Sequence, residues 1–98
     1  MTKAQRIKEI KDEIKWYKPK KKIADAMLEL GEAGFEFSGH GVGLGGEDFN
    51  LKTPKFYVNF CDMGKKVIAS IYGNDDNVEV KGIFEGTVGG ALKYLKVK

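Results

Sequence analysis

The sequence predicts one α+β domain with an N-terminal helical hairpin, an antiparallel sheet of four to five strands and a C-terminal helix packed on the sheet. Apolar residues recur at helical spacing before residue 34 and after residue 87, and they alternate with polar residues between these limits. The links between the alternating segments are too short for crossover helices, which predicts an antiparallel meander. The chain of 98 residues is 42% hydrophobic and 32% charged, which is ordinary usage for a single globular domain over residues 1–98.

The first helix is predicted from about Thr2 to Tyr17. Thr2 and Gln5 have the spacing of a capping box, and Pro19 ends the helix because it disfavours the helical conformation of Lys18. The apolar residues form one narrow stripe at 3-4-3 spacing: Ile7, Ile10, Ile14 and Tyr17. Such a stripe predicts contact with a second helix, or a coiled-coil-like seam between two copies of the chain.

Pro19 is also a good first residue for a second helix, which we expect to end at Gly31 and Gly34. Its apolar face is Ile23, Ala24, Met27, Leu28 and Leu30. A short last helix is expected after Thr87, which is a good N-cap residue. Gly89 and Gly90 weaken that helix by roughly 1 kcal/mol each relative to alanine, so it depends on packing against the sheet.

Strands are predicted where apolar residues alternate with polar ones, with Pro54, the segment 62–65 and the segment 73–77 as breaks. The strand segments are 35–37, 49–51, 56–61, 66–72 and 78–84, and Gly82 is a candidate bulge. The expected core is Ile10, Ile14, Met27, Leu30, Phe35, Phe37, Phe56, Val58, Phe60, Ile71, Val80, Leu92 and Leu95.

The residues that carry catalytic or metal chemistry are few. His40 and Cys61 are single in the chain, and they cannot build a zinc site without carboxylates. The segment 74–77 is typical of a turn and lacks the ligand spacing of a calcium loop. We therefore predict a non-enzyme with no metal and no cofactor. The alternative is a hydrolase or transferase that uses Cys61 with His40, or the carboxylates of Glu47, Asp48 and Glu85.

A single cysteine excludes a disulfide framework and favours a reducing compartment. No apolar run approaches the ~18 residues of a membrane span, and no signal-peptide core follows Met1. The expectation is a soluble cytoplasmic protein with no membrane partner.

Charge is divided unevenly along the chain, whose net charge is +3. Residues 1–22 carry nine basic and three acidic side chains, whereas residues 23–51 carry six acidic side chains and no Lys or Arg. A uniformly basic surface would favour nucleic acid, whereas this dipolar pattern suits oriented docking on a protein. The plain alternative is that the lysines only keep a small domain in solution.

Two aromatic residues, Trp16 and Tyr17, lie in the most basic segment, next to the link between the first two helices. The candidate partner-binding residues are Lys15, Trp16, Lys18, Lys20, Lys21 and Lys22. Trp and Tyr anchor many protein interfaces, and aromatics among lysines also stack bases and neutralise phosphates. In a third interpretation Trp16 only covers the core at the hairpin, with solvated lysines around it.

Five glycines occur within residues 39–46, and three of them fit the spacing G-x-G-x-x-G from Gly41 to Gly46. A phosphate-binding loop would require a helix next, but two acidic residues and another strand are expected there, so this function is excluded. The alternation instead predicts a strand with a bare glycine face or a functional loop, with a flexible connection as the plain alternative.

The function predicted from these residues is a non-catalytic binding protein of adaptor or inhibitor type. It acts on a protein partner through the basic hairpin, the glycine-rich segment or both. One alternative is nucleic-acid binding through Trp16, Tyr17 and residues 18–22. A further alternative is a homodimer that holds a small nucleotide-like ligand between its subunits. Its ligand-binding residues would be His40, Gly41, Gly43, Tyr57 and Tyr72.

Overall fold

The computed structural model describes residues 2–43, 46–73 and 80–97, with the backbone alone for residues 40–43, 46 and 47. Three helices and five strands follow the predicted order, which confirms the α+β class. Their bounds are α1 (Lys3–Tyr17), α2 (Lys21–Glu32), β1 (Glu36–Gly43), β2 (Gly46–Lys52), β3 (Phe56–Asp62), β4 (Val67–Gly73), β5 (Val80–Gly86) and α3 (Val88–Lys96). The turn expected at 74–77 lies outside the described residues.

The five strands form one antiparallel sheet in the order β1-β2-β3-β4-β5, so each strand pairs with its neighbour in sequence. The helices lie on one face of this sheet: α1 packs on β1, α3 packs on β4 and β5, and α2 contacts both other helices. No helix covers the opposite face within the described ranges, and we call it the open face. None of the described helices is long and apolar enough to cross a lipid bilayer.

The core lies between the helices and the sheet. Nine of the expected core residues are buried: Ile10, Met27, Leu30, Phe35, Val58, Phe60, Ile71, Leu92 and Leu95. Ile14, Phe37 and Phe56 are half-buried and pack against this cluster. Ile23, Phe49 and Leu51 belong to the same core, although they were not among the expected residues.

The prediction that Val80 belongs to the core is wrong, since its side chain is 44% exposed. The pairing of β4 with β5 shifts between Ile71, which stands opposite Gly82, and Tyr72, which stands opposite Val80. Lys81 is therefore an extra residue, and a one-residue bulge moves the preceding residue to the other face of a strand. The irregularity lies directly before Gly82, where a bulge was expected.

The two N-terminal helices approach each other closely at Gly31. Arg6 Nε donates a hydrogen bond of 2.8 Å to the Gly31 carbonyl, and Ile10 beneath it is fully buried. The apolar stripe of α1 is thus used inside the protein, on α2 and β1, and is not a free seam. The prediction of self-association through this stripe loses its structural basis.

The helix ends follow the sequence signals closely. Thr2 and Gln5 form the expected capping box, and the Thr87 hydroxyl accepts a hydrogen bond of 3.0 Å from the Gly90 backbone. Helix α2 begins at Lys21 with Lys20 as its N-cap, so Pro19 precedes the cap and is not the first helical residue. The two N-terminal helices are therefore joined by residues 18–20.

Candidate partner-binding surface

The last turn of α1 leaves a tryptophan in solvent. The Trp16 side chain is 79% exposed, whereas its neighbour Tyr17 is half-buried against the core. The interpretation in which Trp16 covers the core is therefore wrong. Tryptophan is usually well buried, and an exposed indole carries much of the binding energy when a partner covers it.

The link after Trp16 holds a tight conformation. Lys18 has φ 52 and ψ 55, the left-handed region, and its backbone N–H bonds the Ile14 carbonyl to close the helix. Lys20 Nζ lies 3.6 Å from the Asp62 carboxylate at the end of β3, which ties the link to the sheet. Lys21 Nζ lies 2.8 Å from the Asp25 carboxylate, and this hydrogen bond raises the pKa of Lys21.

The remaining lysines of the hairpin carry uncompensated charge. Within the described residues, no carboxylate lies at ion-pair distance from Lys15, Lys18 or Lys22. The first turn of α2 holds no acidic residue, and Lys20 makes no side-chain cap, so the positive end of the helix dipole adds to this charge. We name residues 15–22 the basic hairpin. In it the exposed indole of Trp16 lies among positively charged lysine side chains.

The basic hairpin lies at the end of the sheet where β1 finishes and β2 begins. Lys20 contacts Asp62, the last residue of β3, and β1 runs in the same direction as β3 because both neighbour β2 antiparallel. β1 therefore finishes, and β2 begins, at the end where the basic hairpin lies. The predicted antiparallel meander already implies this placement, because its first and third strands run in the same direction.

The glycine-rich segment is largely strand. Gly39 pairs with Asn50, Gly41 with Asp48 and Gly43 with Gly46, which places these glycines on the open face. His40 stands opposite Phe49 in the register. Residues 39–43 therefore belong to β1, while 44 and 45 lie outside the described residues.

The candidate ligand-binding residues do not converge on one site within the chain. Tyr57 and Tyr72 stand directly opposite each other on β3 and β4, on the open face. Gly41 pairs with Asp48, which pairs with Cys61, four residues along β3 from Tyr57. Four residues of strand span about 13 Å, so the tyrosines lie far from Gly41 and Gly43.

The residues considered for catalysis are also separated. Cys61 is buried and its thiol donates to Met63 Sδ at 3.5 Å; burial, together with the Asp48 and Asp62 carboxylates, raises the pKa of this thiol. A nucleophilic cysteine needs the opposite shift. Glu85 is ion-paired with Lys66, and its strand β5 is an edge strand, three strands away from β2 in the sheet.

The described residues contain no group of three or more His, Cys, Asp or Glu side chains that could hold a metal ion. Compared with known protein families, curated proteins and solved structures, the chain gives no match. Its function is therefore inferred from its own surface.

Proposed function

We propose that this protein is a non-catalytic binding protein that docks on an acidic surface of a protein partner through the basic hairpin. The observation that carries the proposal is the 79% exposure of Trp16 beside Lys15, Lys18 and Lys22, for which no carboxylate of the described residues lies at ion-pair distance. Inhibitors and adaptors act by such docking, with no chemistry of their own.

The two parts of this surface have different roles in binding. A tryptophan that becomes fully covered is a typical hot spot, whose removal costs about 2 kcal/mol or more. Lysines at the rim steer the encounter and select a partner of opposite charge, and they add less to affinity. The left-handed Lys18 and the ion pair of Lys20 with Asp62 hold the backbone of the link after Trp16, so less backbone freedom is lost on binding.

A protein partner fits this surface better than nucleic acid does. Asp25 and Asp62 lie inside the basic hairpin's own ion pairs, and carboxylates at this position repel a phosphate backbone. Sites for single-stranded nucleic acid stack successive bases on several aromatic side chains. Here Tyr17 is half-buried, so Trp16 is the one strongly exposed ring of the hairpin.

The proposal is tested by affinity capture from the native host, followed by titration of the captured partner with purified variants. Trp16→Ala should weaken binding about 30-fold or more, which corresponds to about 2 kcal/mol. Val97→Ala is the matched control, because Val97 is 77% exposed but lies beyond α3, at the other end of the sheet. Val97→Ala should bind like the unmodified protein.

Two results would contradict the proposal. One is a partner that binds Trp16→Ala as tightly as the unmodified protein. The other is submicromolar binding of DNA or RNA at physiological salt, abolished by charge reversal at residues 20–22. The second result would assign the basic hairpin to nucleic acid.

A further inference from the structure

The open face of the sheet carries a continuous apolar patch. Tyr57 on β3 is 38% exposed, and Val80 and Ile83 on β5 are 44% and 59% exposed. Tyr72 on β4 lies between Tyr57 and Val80, since it pairs with both. Ile68, four residues earlier on β4, pairs with Cys61 and Glu85 and lies diagonal to Ile83. Contiguous apolar patches of this kind mark interaction sites in soluble monomers.

The polar residues at the centre of this face are small, and two of them are hydrogen-bonded to each other. Asn59 Nδ2 donates a hydrogen bond of 2.9 Å to Asn50 Oδ1 across β2 and β3, and Ser70 beside them on β4 is buried. Polar groups that are bonded to each other lose little when water is removed from the face. The centre of the face is therefore compatible with burial under a second protein layer.

Two charges of the open face, Asp48 and Lys52 on β2, complement each other between two copies. Glu36, opposite Lys52 on β1, and Glu85, ion-paired with Lys66, lie on the same face outside this match. On β2, Asp48 and Lys52 lie at opposite ends of the face with Asn50 between them, because Phe49 and Leu51 are buried on the other side. Consider a twofold axis that lies between the two sheets and runs perpendicular to the strands, above the row of Asn50, Asn59 and Ser70. Each strand then faces the same strand of the second copy, running in the opposite direction. This axis places Lys52 against Asp48 of the partner subunit, and the symmetry repeats that pair.

On β4 the same operation matches apolar residues, whereas on β5 it sets Glu85 against Val80 of the partner subunit. On β4, Ile68 and Tyr72 flank Ser70 as Lys52 and Asp48 flank Asn50, so Ile68 meets Tyr72 of the partner subunit. One patch that matches itself under a twofold axis is the requirement for an isologous dimer. A partner of another sequence would need a separate reason for this internal match.

The size of the face also fits a second copy. Five strands at about 4.8 Å and seven residues at about 3.3 Å cover roughly 20 Å by 20 Å. Two such sheets pack face to face at about 10 Å, with their strands about 30° apart. The buried area lies at or below the ~800 Å² per partner of a standard interface, which is the size range of weak, reversible contacts.

We infer that the open face is a dimer interface, on which a second copy of this chain packs sheet against sheet. The expected self-association therefore uses β2 to β5 and not the stripe of α1. The basic hairpin contains the link between α1 and α2, in the layer of helices on the other face of the sheet. It takes no part in this contact, so the inference is independent of the proposed function.

Sedimentation equilibrium from 1 µM to 500 µM tests the inference. The unmodified protein should shift from its 10.9 kDa monomer to twice that mass across this range. Ile83→Asp should weaken the dimer at least tenfold, because it places a charge in the centre of β5's contact. Val97→Asp is the matched control on an exposed apolar residue away from the face, and it should dimerise normally.

A charge exchange separates the interface from general effects on folding. Lys52→Asp should weaken the dimer, because each copy then sets a carboxylate at position 52 against Asp48 of the partner subunit. Adding Asp48→Lys restores opposite charges at both contacts and should restore the dimer. A monomer at every concentration overturns the inference, as does a dimer that Ile83→Asp leaves intact or that the double exchange fails to restore. Far-UV circular dichroism confirms that each variant is folded.

Discussion

The close approach of α1 to α2 predicts that Gly31→Ala destabilises the protein when residue 10 is Ile and stabilises it when residue 10 is Val. A Cβ atom on Gly31 would lie 2.5 Å from Ile10 Cδ1 and 3.0 Å from Ile7 Cδ1. Ile10 is fully buried and its Cδ1 has nowhere to move, whereas Ile7 is half-buried and can turn outward. Gly31→Ala therefore forces a rearrangement of the core at Ile10.

Two opposing terms set the magnitude. Replacing glycine by alanine in a helix gains up to about 1 kcal/mol, and overpacking a core costs about 1–3 kcal/mol. Gly31→Ala should therefore lower the free energy of unfolding by about 0–3 kcal/mol. Ile10→Val removes the Cδ1 atom and costs about 0.5–1.5 kcal/mol by itself. In the Ile10→Val background, Gly31→Ala should instead stabilise by up to about 1 kcal/mol.

Urea unfolding followed by circular dichroism gives the free energy of unfolding of the unmodified protein, of Gly31→Ala, of Ile10→Val and of the double variant, which form a double-mutant cycle. The expected coupling energy is about 1–3 kcal/mol. Gly89→Ala is the control, because a Cβ atom there meets nothing within 4 Å and should have one effect in both backgrounds. An equal effect of Gly31→Ala in both backgrounds would refute the close packing of Ile10 on Gly31.

Three further predictions concern helix ends and the buried thiol. Thr87→Ala removes the acceptor of the Gly90 N–H and should cost about 1 kcal/mol, a fall in Tm of about 4–8 °C by calorimetry. Lys18→Gly should leave Tm unchanged or raise it, because φ is 52 there, whereas Lys15→Gly inside α1 should cost about 1 kcal/mol. Cys61 has a raised pKa, so the folded state holds its proton more tightly than the unfolded state does. The unfolding free energy should fall as the pH rises past about 8.5, and Cys61→Ala should lack this component in pH-dependent urea unfolding.

Strict alternation made the strands predictable from the sequence. In β3, Val58 and Phe60 are buried on the helical side, as their spacing with Phe56 indicated. The capping box at Thr2 likewise fixed the start of α1 within one residue. These signals are local, because each depends on residues within one turn or one strand.

The errors arise where a distant contact or an added residue decides the outcome. Val80 is exposed because one bulge residue reverses its face, and the sequence around Gly82 indicates a bulge without its register. The exposure of Trp16 depends on how α1 is rotated against α2, which no local pattern specifies.

The composition of the open face supports its assignment as an interface. A two-layer domain leaves one face of its sheet toward water, where alternation usually places polar residues. With charged residues at 32% of the chain, charged side chains are plentiful for such a face. Tyr57, Val80 and Ile83 instead occupy it, although burial within the chain does not require them there. Apolar residues that the fold does not bury stabilise more when a second surface covers them, and we infer from the match of Asp48 with Lys52 that this surface is the same face of another copy.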